Sequence, residues 1–126
     1  MIENIMDASA ILAYLQNEKG KDRVEKLLET SAISRINATE VLTKLIEKGM
    51  SLNKAKEAFD NLDLQVIEFD ESQSLKAAEL RPLTKHLGLS LGDRYCLALA
   101  IQENATAVTA DRNWASLNIC KIEVIC

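Results

Sequence analysis

Short apolar runs of strand character alternate with amphipathic helical stretches along this chain, and few folds accept that order. The strand candidates are Ile2–Met6, Ala32–Arg35, Leu64–Phe69, Ala105–Thr109 and Ile122–Ile125. Between them Ile11, Leu12 and Leu15 mark one helix (Ala8–Leu15), and Val24, Leu27 and Leu28 mark a second (Lys19–Glu29). A third carries Val41, Leu42, Leu45 and Ile46 and ends at Gly49; Ser51 caps a fourth with Ala55, Phe59 and Leu62 inward. Asp70 caps Glu71–Arg81, which Pro82 stops or kinks. Leu91–Glu103 is apolar on most sides, as a central buried helix is, and a short helix follows at Arg112–Leu117. Strands separated by helices imply parallel crossover units with helices over both sheet faces. The expected fold class is α/β, a three-layer α/β/α sandwich around a central, mostly parallel sheet.

The length of 126 residues sets the scale: one domain over residues 1–126, burying roughly two-thirds of the unfolded surface without cross-links. The 48% apolar and 27% charged composition excludes membrane-embedded and disordered classes. Cys96, Cys120 and Cys126 lack paired metal-ligand spacing, and His86 is the single histidine, so zinc is not expected. An odd, sparse cysteine count suits a reducing compartment. The N-terminus carries Glu3 and Asp7 and lacks the basic start and apolar run of a signal peptide. No stretch approaches the roughly 20 apolar residues of a membrane span. A cytoplasmic protein is expected.

Four carboxylates occupy equivalent places in this plan. Asp7 ends the first strand and Asp111 the fourth; Glu40 and Asp93 fall at the starts of helices. In an open parallel sheet, strand C-termini and the helix starts that follow them crowd along one edge, where ligands bind. Each acid also has a purely structural use: Asn37-x-x-Glu40 and Ser90-x-x-Asp93 resemble capping boxes, and Asp7 and Asp111 fit plain N-caps. Carboxylates gathered on one edge repel unless a cation neutralises them, and hard oxygen donors without His or Cys suit Mg²⁺ or Mn²⁺. The natural chemistry of such a site is hydrolysis of a phosphodiester by metal-activated water. The chain offers no glycine-rich phosphate loop, nucleophile elbow or nearby Cys–His pair as a rival mechanism.

The local strings carry a family likeness. Asp7-Ala8-Ser9-Ala10, Asn37-Ala38-Thr39-Glu40-Val41, Leu89-Ser90-Leu91-Gly92-Asp93-Arg94 and Thr109-Ala110-Asp111-Arg112, in this order, resemble the PIN domain, with VapC-type toxins as the nearest subgroup. The resemblance runs nearly end to end. It implies an endoribonuclease in which Asp7 and Asp93 hold Mg²⁺ or Mn²⁺ and Asp111 completes the ligand set, directly or through water. Glu40 would bind metal through water or help activate the nucleophile. Ser9 and Thr109 fall where the family places a hydroxyl that orients a carboxylate or water, although capping explains them equally. The implied partners are RNA, a small VapB-like antitoxin and a second copy in a homodimer.

A formal net charge of −4 is unusual for a protein that binds nucleic acid. It is accounted for if an antitoxin Arg or Lys reaches the carboxylates. Arg94 and Arg112, each beside a site acid, are the candidate phosphate-binding residues, with pairing to nearby acids as the alternative. Lys19, Lys21, Arg23 and Lys26 alternate with Asp22 and Glu25 as a mixed-charge face. Two further readings stand beside the ribonuclease: a catalytically dispensable antitoxin-binding corepressor module, and a receiver domain phosphorylated on Asp7. Receiver chemistry also wants a second acid beside the first strand and a lysine after the last, and neither is evident.

Overall fold

A computed structural model describes all residues, Met1–Cys126. Five strands form one parallel sheet in the order β3-β2-β1-β4-β5: β1 (Asn4–Met6), β2 (Ser31–Ser34), β3 (Gln65–Ile67), β4 (Thr106–Thr109) and β5 (Ile122–Val124). Seven helices flank it: α1 (Ala8–Leu15), α2 (Lys21–Leu27), α3 (Arg35–Glu47), α4 (Leu52–Asp60), α5 (Glu71–Glu79), α6 (Arg81–Thr84) and α7 (Leu91–Glu103). The α/β class and the parallel sheet expected from the sequence are both present, and the sheet is parallel at every pairing.

The core follows from the two-residue period of the strands. Ile5, Ala32 and Ala107 point to the face covered by α5 and α7, where they meet Ala77, Leu97, Leu99 and Trp114. Their neighbours Met6, Ile33 and Val108 point the other way, toward Ile11, Val24, Val41, Leu45 and Phe59 of α1–α4. Strands buried on both faces need apolar residues at consecutive positions, which is the pattern of these segments. Trp114 is fully buried in this layer.

Several boundaries differ from the expected ones, each for a local reason. The chain turns helical at Arg35 rather than near Asn37, because the Ser34 hydroxyl accepts the Asn37 amide at 3.0 Å and so caps α3 two residues early. Glu40 therefore lies in the second turn, and the Asn37–Glu40 capping box does not exist. Pro82 does not simply end a helix: α5 stops at Glu79, and Pro82 occupies the opening of the short α6, where its missing N–H costs nothing. The short helix expected after β4 is present and is of the 3₁₀ type, over Arg112–Ser116. The Ser90–Asp93 capping box forms in full.

Leu97 sits at the centre of α7 with no exposed surface, whereas Leu75 on α5 is largely exposed. Leu97→Ala should lower unfolding free energy by about 2–5 kcal/mol. Leu75→Ala should change it by about 0.5 kcal/mol or less. Urea denaturation of both variants checks the pair; equal effects would contradict this packing.

Candidate active site at the strand ends

The strand order reverses direction between β1 and β4, so the crossovers from these two strands leave on opposite sides and open a crevice at their C-terminal ends. Asp7 follows β1 there and Asp111 follows β4. The register pairs Met6 with Val108, which sets Asp7 beside Thr109. All four acids singled out in the sequence, Asp7, Glu40, Asp93 and Asp111, line one cavity of about 220 Å³ together with Ala8, Ser9, Leu12 and Lys44.

Asp7 is the most enclosed of them, at 4% exposure. Its Oδ1 accepts the Ala10 amide at 2.8 Å, which caps α1, and the Ser9 hydroxyl at 2.7 Å. Its Oδ2 accepts the Thr109 hydroxyl at 2.5 Å. Ser9 Oγ in turn accepts the Ala110 amide at 2.9 Å, and Thr109 Oγ1 accepts the Asp111 amide at 3.0 Å. Both hydroxyls are thereby locked between a backbone donor and the carboxylate, and they act on Asp7. Burial pushes the Asp7 carboxyl up to about 6, against the pull of the bonds from Thr109, Ala10 and Ser9, and the nearby Asp93 charge pushes the same way as burial.

Glu40 enters from α3. Burial raises its carboxyl above the ordinary range, the Asn37 amide opposes this, Asp93 adds to it, and Lys44 opposes it. Asp93 enters from the first turn of α7, its Oδ2 accepting the Ser90 amide at 2.9 Å. Asp111 caps the 3₁₀ turn through the Asn113 amide at 2.9 Å. Three of the acids thus serve as helix or turn caps while facing the cavity, so capping and site residency coexist in the same side chains.

The arginines behave differently from expectation. Arg94 Nη1 donates to the Ala77 carbonyl at 3.0 Å, which turns the guanidinium into the α5–α7 contact and away from the cavity. Arg112 is exposed and does not line the cavity. The cation that does is Lys44, one helical turn beyond Glu40 on the same face of α3. Its 3.4 Å approach to Glu47 joins two exposed side chains and holds it only weakly. The i, i+4 spacing from Glu40 was the available signal. In the basic stretch of α2, Arg23 is paired with Glu123 and Lys21 lies over the Tyr14 ring.

No three acidic, histidine or cysteine side chains converge closely enough to grip one ion as they stand. Each of the four carboxylates is instead engaged by a hydrogen bond from its own surroundings. The donor chemistry nonetheless fits a hard divalent cation: carboxylate oxygens only, two of them desolvated, with Lys44 as the one neighbouring positive charge.

An open parallel α/β domain with acids gathered at its switch point defines the class. The chain belongs to the PIN domain family, whose model matches residues 5–119. Among solved structures it resembles a chain of DNA-bound VapBC from Salmonella typhimurium at TM-score 0.80 and 17% identity, covering all of both chains. It also resembles a chain of VapBC2 from Rickettsia felis bound to a promoter fragment (TM-score 0.75, 21% identity, 98% of each chain). A toxin–antitoxin complex from Klebsiella pneumoniae gives TM-score 0.75 at 18% identity over 98% of each chain. Comparison with curated proteins found no match. No helix is long and apolar enough to cross a membrane.

The Asp7 carboxyl has a folded-state value near 6 against an ordinary value of 3.8, so between these pH values the native chain keeps a proton that the unfolded chain has released. The stability from this group therefore falls as pH rises from 3.8 to about 6, and the charged form costs about 3 kcal/mol above that window. Asp7→Asn in EDTA should be more stable than the parent at pH 8, with the difference closing as pH falls to 4. Urea midpoints across that range would contradict this if the parent were equally stable at pH 8.

Proposed function

We propose that this protein is a Mg²⁺- or Mn²⁺-dependent endoribonuclease and the toxin of a type II toxin–antitoxin pair. The observation that carries the proposal is the position of its four acids: all line one cavity at the switch point of a PIN-domain sheet. Asp7, Asp93 and Asp111 are the residues that would hold the ion. A divalent ion there supplies Lewis acidity, which makes water a competent nucleophile near neutral pH and offsets charge on the phosphodiester.

The protein's own groups divide the remaining work. Ser9 and Thr109 fix both oxygens of Asp7, so its orientation is set before substrate arrives. Glu40, half-buried and with its carboxyl raised above the ordinary range, accepts the proton of the attacking water. Lys44 contacts a phosphate next to the scissile bond, the role first expected of Arg94 and Arg112. The net charge of −4 and the acidic cavity call for a partner with a basic side chain, and the antitoxin is that partner. The structural neighbours in toxin–antitoxin complexes support an antitoxin partner; a homodimeric toxin is part of the same proposal.

Purified without a partner, the protein should cleave RNA with Mg²⁺ or Mn²⁺ and stop on addition of EDTA. Asp7→Asn and Asp93→Asn should each lower cleavage at least about 100-fold while circular dichroism stays native. Cleavage that survives chelation, or full activity in both variants, would sink the proposal. Lys44→Ala should raise KM several-fold with kcat little changed. It should also lower the salt slope of RNA binding by about 1, as loss of one phosphate contact requires.

A further inference from the structure

Helices α3 and α7 meet beside the cavity in a contact whose chemistry centres on Glu40. Asn37, on α3, is 1% exposed. Its Nδ2 donates to Glu40 Oε1 at 2.7 Å and to the Gly92 carbonyl of α7 at 3.1 Å. Its Oδ1 accepts the Ser34 hydroxyl at 2.7 Å, and Ser34 has no exposed surface. Every hydrogen-bonding end of the Asn37 amide is thus committed, and its orientation cannot reverse without leaving buried groups unpaired.

Gly92 closes the other side. A Cβ placed on it would stand 2.4 Å from Glu40 Oε2 and 2.6 Å from both Cδ and Oε1, distances that real contacts do not reach. Gly92 lies in the first turn of α7 without a left-handed φ, so backbone freedom does not explain a glycine here. Glycine is in fact a poor helix former, and alanine would suit the helix better. What glycine provides is room: the Glu40 carboxylate stands where a Cβ would crowd it.

We propose that Asn37 and Gly92 are the positioning residues of Glu40, one holding Oε1 and the other providing a floor without a side chain, so that the carboxylate is fixed in the cavity wall. The functional side of this proposal rests on the nuclease reading; the seat itself does not. The clashing atoms are the far end of a flexible side chain, so Gly92→Ala is expected to fold, with Glu40 displaced.

The test is a double-mutant cycle between Gly92→Ala and Glu40→Ala, with Asn37→Ala as a second probe of the seat. Thermal melts in EDTA need neither RNA nor metal. In the Glu40→Ala background, Gly92→Ala should raise Tm by roughly 4 °C through helix propensity, and in the parent it should raise Tm clearly less or lower it. Equal shifts in both backgrounds would overturn the seat. In cleavage assays Gly92→Ala and Asn37→Ala should each lower kcat to within about threefold of Glu40→Ala, with KM unchanged, and neither should lower kcat further when Glu40 is already alanine. Costs that multiply in that background, or a fully active Gly92→Ala, would overturn the positioning role. If the parent chain cleaves no RNA, the nuclease reading fails, and the thermal cycle alone decides the seat.

Discussion

The parallel pairing of β1 with β4 is the contact on which the rest of the molecule hangs. It joins the fully buried central strand β1 to β4, which is buried at three of its four residues, and its register sets Asp7 directly against Thr109. A carboxylate at 4% exposure, hydrogen-bonded by two hydroxyls and one amide and by no cation, is held against the preference of charge for water. The Thr109, Ser9 and Ala10 bonds offset part of that cost; the push of Asp93 adds to it. The crevice and the charge that fills it therefore come from one feature of the topology, the reversal of strand order at this pair.

Around that point the helices are anchored by the same polar groups that face the cavity. Asp7 caps α1, Asp93 closes the capping box of α7, and Asp111 caps the turn after β4. An acid at a helix N-terminus is favoured by the local backbone dipoles, so each placement is locally stabilising even though their sum is repulsive. Glu40 is the exception. It lies inside α3, with no helix end to support it, and depends on Asn37 and on the absent side chain of Gly92.

This division also explains what was legible in the sequence. The alternation of strand and helix, the parallel sheet and the gathering of Asp7, Glu40, Asp93 and Asp111 follow from hydrophobic period and from the rule that strand ends share an edge. The start of α3 is less legible: Asn37 has the side chain of a cap, whereas the actual cap, Ser34, is at the same time the last residue of β2. Arg94 was expected in the cavity by sequence adjacency to Asp93, yet adjacent residues on a helix point about 100° apart, and Arg94 faces α5. Lys44 was detectable by the same geometry, one turn from Glu40. Gly92 was not, because its meaning lies in a distance between two helices that no local pattern encodes.

The electrostatics of the cavity bear on how the proposed toxin would be inhibited. Two of its carboxylates are desolvated, and a third raises both, so the free chain carries a charge deficit that any cation relieves. A divalent ion and a basic side chain from a partner answer the same deficit in the same space of about 220 Å³. In the proposed toxin the two would compete, and each would stabilise the folded state it binds. Inhibition would then need no distortion of the fold. It would follow from the partner neutralising the carboxylates in a way that activates no water.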